Sequence, residues 1–203
     1  MFYFKKSNFI KSINNVNDKP EKYLDEVLFV GKSNVGKSSL INALANNTKL
    51  AFTSSKPGHT RLLNYYLIED YFYFVDCPGY GFSSKKGLDY EFYGKMIENY
   101  FEDNKDLKLI LFLLDSRHEP TSDDVDFFNF LNEYNYEYII VMTKCDKLNQ
   151  SMRSKIRKNL ENKLGNIDDI DVILTSTTNK NGIESLKNII QTYVNRRKED
   201  GSK

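Results

Sequence analysis

The segment from Gly31 to Ser38 reads GKSNVGKS and fits the pattern GxxxxGK[ST], the residue spacing of a phosphate-binding loop. Glycines let backbone N–H groups curl around a phosphate, and the N-terminus of a following helix adds favourable dipole charge. Lys37 is placed to reach the β- and γ-phosphates, and the Ser38 hydroxyl to ligate Mg²⁺. A chance glycine turn is the alternative, but the apolar run before the segment and the amphipathic stretch after it favour a phosphate loop.

Two aspartates follow later apolar runs. Asp76 begins the segment DCPG, where its carboxylate suits a water-mediated ligand of Mg²⁺ and Gly79 is able to turn its N–H toward a γ-phosphate; an ordinary strand-to-loop turn has the same residues. Asp146 ends the segment TKCD, and its carboxylate can accept two hydrogen bonds from the guanine edge, where adenine offers no such donors. Lys144 can pack its stem along the base. The alternative interpretation of TKCD is a solvated Lys-Asp pair in a loop.

The order of these segments along the chain strengthens the interpretation. The phosphate loop, DCPG, TKCD and the pair Ser176-Thr177 each follow a predicted strand. The carboxyl ends of parallel strands share one sheet edge, where ligands bind in such folds. Ser176-Thr177 would complete the base pocket with backbone N–H groups. Thr60, in the loop after Lys56-Pro57-Gly58, is either a further Mg²⁺ ligand or a structural residue. The pattern therefore predicts a guanine-nucleotide site.

The residues predicted to form this site are spread over five segments. The predicted nucleotide contacts are Gly31, Lys32, Ser33, Asn34, Val35, Gly36, Lys37, Ser38, Ser39, Gly58, His59, Thr60, Arg61, Leu62, Asp76, Cys77, Pro78, Gly79, Thr143, Lys144, Cys145, Asp146, Thr175, Ser176 and Thr177. The predicted metal ligands are Ser38 and Thr60, with Asp76 acting through water. The candidate catalytic residues are Lys37, Asn34 and Asp76.

Alternating apolar runs and amphipathic stretches predict the elements that position these residues. The predicted strands are Val27–Val30, Leu62–Ile68, Tyr71–Val75, Leu109–Leu114, Tyr138–Met142 and Val172–Leu174. The predicted helices are Lys37–Ala45, Tyr90–Phe101, Ser122–Tyr134, Ser151–Leu164 and Ile183–Val194. Only Glu69-Asp70 joins the second and third strands, so these two must be antiparallel. The expected fold is three-layer α/β: a mostly parallel six-stranded sheet with one antiparallel edge strand and helices on both faces.

Composition indicates one globular domain. The chain has 203 residues, and its 29 Lys+Arg against 28 Asp+Glu exclude a strongly basic nucleic-acid binder and an acidic solvating chain. Two distant cysteines suggest neither a zinc site nor a disulfide framework. No signal peptide or bilayer-length apolar run is evident, so a cytoplasmic protein is expected.

The predicted organisation is an N-terminal arm over residues 1–24, with at most one strand, a domain over 25–195 and a polar tail over 196–203.

In combination, these motifs resemble those of the EngB group of bacterial GTPases, in the Era-like branch of the translation-factor-related (TRAFAC) GTPases. The matching stretches are Gly31–Leu40, Lys56–Arg61, Asp76–Phe82, Thr143–Leu148, and Thr175–Thr177 with the following Gly182. The resemblance covers the chain from about Phe9 to Val194. It implies a single P-loop GTPase domain that uses Mg²⁺, assists assembly of the large ribosomal subunit, and is linked to normal cell division and septation.

Length and two substitutions refine the resemblance. The chain has no room for the RNA-binding KH domain of an Era-like protein or for the second GTPase domain of a Der-like one. Lys32 stands where the family commonly has Arg, which keeps the charge but loses the planar fork. Arg61 stands where Gln is common. The nucleotide motifs themselves are intact.

Two residues bear on hydrolysis. Ras-like GTPases orient water with a Gln just after the Asp-x-x-Gly motif, and Tyr80 holds that place here, which predicts GTPase activity that is weak without an activator. Asn34 resembles an Asn that helps some relatives bind K⁺ near the phosphates, where a cation could replace an arginine finger. Simple turn chemistry explains Asn34 equally well, so both interpretations stay open.

Uneven charge suggests where a partner binds. The stretch Lys147–Lys163 is basic, with only Glu161 opposing its cations, whereas His118–Glu137 carries acids and no Lys or Arg. The sequence thus predicts a basic side, able to neutralise RNA phosphates, and an acidic side; a solvated lysine-rich helix is the alternative. The loop Ser83–Lys86 is a further candidate contact. Two functions remain: a monomeric GTPase that binds the large ribosomal subunit or its precursor, or a nucleotide-gated protein-binding switch in cell division without significant turnover.

Overall fold

The computed structural model describes residues 4–52, 62–80, 88–102, 104–134 and 136–195, and for residues 88–93 and 195 it describes the backbone only. The strands in these ranges are β1 (Ser7–Ile13), β2 (Asp25–Gly31), β3 (Leu63–Ile68), β4 (Phe72–Asp76), β5 (Leu107–Asp115), β6 (Tyr138–Thr143) and β7 (Val172–Leu174). The α-helices are α1 (Lys37–Leu44), α2 (Leu88–Phe101), α3 (Ser122–Tyr134), α4 (Gln150–Leu164) and α5 (Ile183–Asn195), with short 3-10 helices at Val16–Asp18 and Cys145–Lys147. None of the described helices is long and apolar enough to cross a bilayer.

The strands form one sheet in the order β1-β3-β4-β2-β5-β6-β7. Strand β3 is antiparallel to both β1 and β4, and the remaining neighbours are parallel. The predicted α/β fold is confirmed, but the sheet has seven strands and not six, and β1, not β3, is its edge on this side. The extra strand comes from the N-terminal arm, with Ser7 opposite Ile68 and Ile13 opposite Leu63. An edge strand needs only one partner and buries little, so its apolar pattern is weak.

Alternating side chains of β5 show how the layers form. Ile110, Phe112 and Leu114 belong to the core beneath α2, α3 and α4, while Leu109, Leu111 and Leu113 belong to the core beneath α1 and α5. Such strands are buried on both faces, which explains their near-continuous apolar runs. The carboxyl ends of β2, β4, β5, β6 and β7 consequently meet at one edge between the two helical layers.

The acidic and basic stretches lie next to each other, so the predicted separation into an acidic and a basic side is wrong. Helices α3 and α4 contact each other in the same layer. Lys163 Nζ lies 3.2 Å from Glu119 Oε2, which joins the two stretches directly. The reason is topological: successive right-handed crossovers from β5 to β6 and from β6 to β7 place both helices on the same face of the sheet.

At the amino-terminal end of β2, away from the edge where the carboxyl ends of the strands meet, a buried carboxylate attaches the N-terminal arm to the sheet. Glu26 is only 3% exposed and accepts hydrogen bonds from the Tyr100 hydroxyl at 2.5 Å and from Asn104 Nδ2 at 3.1 Å. Lys19 of the arm places its Nζ 3.1 Å from Glu26 Oε1 and donates to Asn104 Oδ1 at 2.9 Å. Since a buried charge is costly unless it is paired, this network anchors the arm beneath β2 and α2.

Candidate functional site

The phosphate loop connects β2 to α1. Asn34 and Gly36 both have positive φ, 61° and 113°, and these two left-handed residues curl the chain between strand and helix. The Ser33 N–H donates to the Tyr80 carbonyl at 3.2 Å, which attaches the loop to the segment after β4. Helix α1 begins at Lys37, so its first N–H groups, which have no partner inside the helix, lie at the loop. That arrangement suits an anion.

Asp76, the last residue of β4, has an unusual environment. Its carboxylate is buried, and Oδ1 has no hydrogen-bond partner within the described residues. Burial raises the pKa of Asp76 to about 6, and the charge of Lys37 opposes that rise. A buried carboxylate oxygen without a partner in the described residues, facing the charge of Lys37 at the start of α1, fits a hydrated divalent cation such as Mg²⁺. The described residues contain no cluster of His, Cys, Asp or Glu that could hold a metal without such help from water and phosphate.

Gly79 is required by close packing. A Cβ atom at this position would lie 2.8 Å from both the backbone N and the Cα of Ser33. Backbone atoms cannot yield as a flexible side chain does, so any larger residue would displace the phosphate loop. Because glycine carries no Cβ, the segment after Asp76 is able to lie directly against the loop.

The TKCD segment braces the phosphate loop from the other side. The Thr143 hydroxyl donates to the Val35 carbonyl at 2.6 Å, and Lys144 Nζ donates to the Asn34 carbonyl at 2.7 Å. Thr143 is buried, and Lys144 adopts a left-handed backbone with φ 59°. Two side chains of β6 and its following turn thus fix the position of the loop that joins β2 to α1.

Asp146 lies beside the loop that follows β7. Ser176 Oγ donates to Asp146 Oδ1 at 2.7 Å, and this hydrogen bond is the main cause that lowers the pKa of Asp146 from its ordinary value. The two loops are also joined by the Cys145 N–H, which donates to the Thr175 carbonyl at 3.0 Å. The Ser176 N–H donates to the Asn181 carbonyl at 3.0 Å, so it is the Ser176 side chain that contacts Asp146.

The structure therefore brings most predicted segments together at one sheet edge. Contacts link the phosphate loop to the segment after Asp76 and to TKCD, and link TKCD to Thr175-Ser176. Within this set Thr177 and Ser39 are exposed. The predicted residues Gly58, His59, Thr60 and Arg61 lie outside the described part of the chain, and Leu62 immediately precedes β3. Their roles stay predictions.

Two features of the site escaped the sequence analysis. The Tyr80 hydroxyl is buried and donates to Asp124 Oδ1 at 2.8 Å, and its ring stacks on Phe127. Asp115, at the end of β5, accepts from Lys144 Nζ at 2.9 Å and from Arg117 Nη2 at 2.7 Å. The sequence did contain a signal for Asp115. It directly follows a predicted strand, which is the same feature that identified Asp76.

A cavity of about 290 Å³ lies between the phosphate loop and the start of α3. Its walls include Lys32, Asn34, Asp115, Arg117 and Thr121. Lys32 Nζ approaches Thr121 Oγ1 at 3.4 Å and so spans part of the space between the loop and α3. The loop is thus contacted from β4, from β6 and from the start of α3.

A mostly parallel sheet with a phosphate loop after β2, an aspartate at the end of β4 and TKCD after β6 defines the class of P-loop GTPases. Residues 26–144 match the family described as "50S ribosome-binding GTPase". The chain is 40% identical over 190 residues to a probable GTP-binding protein EngB of Clostridium kluyveri, covering 94% of this chain and 96% of that protein. The chain belongs to the EngB family of GTP-binding proteins.

Solved structures agree on the fold. A crystal structure of a probable GTP-binding protein EngB superposes with a TM-score of 0.67 at 24% identity, covering 84% of this chain and 99% of that one. Era in complex with MgGDPNP and nucleotides 1506–1542 of 16S ribosomal RNA gives a TM-score of 0.66 at 25% identity, covering 86% of this chain and 58% of Era.

Proposed function

We propose that this protein binds GTP and GDP at the carboxyl edge of its sheet, hydrolyses GTP slowly without an activator, and assists assembly of the large ribosomal subunit. A requirement in normal cell division and septation is part of the proposal. The observation that carries it is the direct contact of the phosphate loop with both the Asp76–Gly79 segment and TKCD. The chain's membership of a GTP-binding family supports the same conclusion.

Different residues of the site would bind the phosphates, the metal ion and the base. The backbone of Gly31–Ser39 would surround the phosphates, with Lys37 directed to the β- and γ-phosphates. Ser38 and Thr60 would hold Mg²⁺ directly, and Asp76 would hold it through water. Mg²⁺, when bound, supplies positive charge beside the phosphate oxygens. Asp146, oriented by Ser176, would accept the hydrogen bonds of the guanine edge.

The environment of Tyr80 supports slow intrinsic hydrolysis. Its hydroxyl donates to Asp124, and its ring packs on Phe127 at 5.1 Å between centroids. A side chain held in this way against α3 does not orient a water molecule at a γ-phosphate. Since no Gln occupies the position, an activator or a bound cation would have to supply the missing stabilisation.

The cation K⁺ is a candidate for that stabilisation through Asn34. Asn34 is exposed at the turn of the loop, and its carbonyl is already taken by Lys144, so the side-chain oxygen is the atom that would face the cation. GTP turnover is expected to be faster in KCl than in NaCl at equal ionic strength. Equal rates in the two salts would leave Asn34 as a turn residue only.

Ribosomal binding is supported by the family description and by two exposed cations on α4. The matched family is described as binding the 50S ribosome, and the structure of Era contains 16S ribosomal RNA. On α4, Lys155 and Lys158 are exposed and form no ion pair within the described residues. Such cations can neutralise RNA phosphates. The proposal includes a cytoplasmic monomer; the loop Ser83–Lys86, a second candidate contact, lies outside the described residues.

Co-sedimentation with purified ribosomal subunits tests the proposal. The protein is mixed with large or small subunits and with GDP or a non-hydrolysable GTP analogue, and the pelleted fraction is measured. Pelleting with the large subunit that depends on the GTP analogue is expected. Failure to pellet with mature subunits or with assembly precursors in either state would contradict the ribosomal role. The alternative function, a nucleotide-gated protein-binding switch in cell division, would then be favoured.

A further inference from the structure

Asp115 contacts Lys144, the residue of TKCD that also contacts the phosphate loop. It is the last residue of β5 and lies opposite Thr143 in the register with β6. Its side chain is 17% exposed, and Oδ2 accepts from Lys144 Nζ at 2.9 Å. The same Nζ donates to the Asn34 carbonyl at 2.7 Å. The ammonium group of Lys144 is therefore held between a carboxylate on β5 and the backbone of the phosphate loop.

From this contact we infer that Asp115 is a positioning residue for guanine-nucleotide binding and acts through Lys144. The inference rests on the proposed function, because it needs a nucleotide base beside Lys144. Two opposed hydrogen bonds restrain the end of a long side chain, so the stem of Lys144 is already ordered before the base arrives. A preordered side chain loses less conformational entropy on binding, which favours tighter association.

Arg117 offers a competing explanation for the same carboxylate. It forms two side-chain hydrogen bonds with Asp115, Nε to Oδ1 at 2.9 Å and Nη2 to Oδ2 at 2.7 Å. If the side-chain pair of Asp115 with Arg117 were what matters, loss of Arg117 would weaken binding as much as loss of the carboxylate. Asp115 Oδ1 also accepts from the Arg117 backbone N–H at 3.1 Å, and a variant that lacks the Lys144 ammonium separates this turn contact from the contact with Lys144. Burial alone would raise the pKa of Asp115, but the hydrogen bonds from Arg117 and Lys144 hold it well below its usual range, so the carboxylate is ionised beside both cations.

The test is a double-mutant cycle on the affinity for a fluorescent GDP analogue, measured by titration of the full chain. Asp115→Ala is expected to weaken binding about tenfold, since a hydrogen bond to a charged group contributes on that order. Asp115→Asn keeps an acceptor and should recover part of the loss. Arg117→Ala is the matched control and should stay within about twofold of the unmodified protein. In a Lys144→Met background, which keeps the stem without the ammonium, Asp115→Ala should have no further effect.

Three results would overturn the inference. They are unchanged affinity in Asp115→Ala, an equal loss in Arg117→Ala, or an undiminished loss in the Lys144→Met background. Thermal unfolding of each nucleotide-free variant shows whether it is folded, and Asp115→Asn replaces Asp115→Ala in the cycle if the latter is not. Absence of GDP binding by the unmodified protein would contradict the proposed function itself, a result distinct from the other three.

Discussion

At the scale of single residues, the two aspartates of the site have opposite environments. Asp76 is buried with a raised pKa, whereas Asp146 accepts a hydrogen bond from Ser176 and has a lowered pKa. A buried carboxylate that lacks a hydrogen-bond partner within the described residues suits a cation, while an oriented, ionised carboxylate suits the hydrogen-bond donors of a base. The difference in environment thus supports the division of roles proposed for the two residues.

The role proposed for Asp146 predicts a change of specificity in Asp146→Asn. An amide can donate where the carboxylate only accepts, so it would mismatch guanine and complement the carbonyl of xanthine. The affinity for GDP is expected to fall on the order of a hundredfold, as two charge-assisted hydrogen bonds are removed. Competition of GDP and xanthosine diphosphate against a fluorescent nucleotide measures the change. The exposed Asp169→Asn is the control, and an unchanged preference in Asp146→Asn would show that the base lies elsewhere.

Gly79→Ala is expected to weaken both folding and nucleotide binding. The new Cβ would meet backbone atoms of Ser33 at 2.8 Å, and such overpacking costs about 1–3 kcal/mol. The control is Gly94→Ala on α2, where a Cβ meets nothing within 4 Å and where Ala should stabilise the helix by about 0.5–1 kcal/mol. Urea unfolding measures the stability of both variants, which should fall in Gly79→Ala and rise in Gly94→Ala. GDP titration of both variants measures the nucleotide affinity. Unaltered nucleotide affinity in Gly79→Ala would mean that the loop adjusts without loss.

At the scale of elements, interactions between the arm and the sheet extend the domain beyond its parallel core. Strand β1 pairs with β3, and Lys19 reaches the buried Glu26 on β2. The Lys19 ammonium also lies 5.0 Å from the centre of the Tyr100 ring, so it contacts α2 as well. The arm is consequently attached at two separate places, once through backbone pairing and once through a buried ion pair.

Lys19→Met tests the second attachment. The substitution leaves the Glu26 carboxylate buried without its cation, and we expect a loss of about 2–3 kcal/mol, somewhat below the usual cost because Lys19 is partly exposed. The double variant Lys19→Met/Glu26→Gln should recover part of that stability, since a neutral amide needs no counter-charge. Denaturant unfolding provides the measurement. The exposed Lys22→Met should change stability by less than about 0.5 kcal/mol, and an equal effect in both single variants would contradict the role of the pair.

At the scale of the whole molecule, the neighbouring positions of α3 and α4 limit where the proposed RNA contact could lie. Lys163 is paired with Glu119, and Arg157 lies 3.2 Å from Glu161, so part of the basic stretch is already neutralised within the protein. Lys155 and Lys158 remain available on the exposed face of α4. An RNA contact on this face would therefore be small and local, in keeping with a net charge of +1.

Charge reversal on α4 tests that surface. In Lys155→Glu/Lys158→Glu, pelleting with the large subunit should weaken, and the dependence of binding on salt should become shallower by about 0.7–0.9 in log–log slope for each phosphate that the protein no longer neutralises. GDP affinity should be unchanged. Lys49→Glu/Lys105→Glu removes two exposed cations elsewhere and is the matched control. If both double variants weaken binding equally, the effect arises from net charge and not from α4.

Local patterns predicted the elements well where one segment carries its own boundary signals. Helix α3 has the predicted bounds, and its start is capped, with the Thr121 N–H donating to Asp124 Oδ2 at 2.8 Å. Strand β7 also has the predicted bounds. In contrast, the polar arm was expected to hold at most one strand, without bounds, because a half-exposed edge strand such as β1 lacks a strong alternating pattern.

Sequence by itself determined the class of site, because a phosphate loop needs glycines, a lysine and a hydroxyl at set spacings, and because strand-ending motifs converge in a parallel sheet. Only the tertiary structure decided which groups support those motifs. The contact of Asp115 with Lys144, of Tyr80 with Asp124 and of Lys19 with Glu26 each joins residues from different elements. The same holds for the adjacency of α3 and α4. Such contacts depend on crossover handedness and side-chain reach across the fold, which spacing along the chain does not encode.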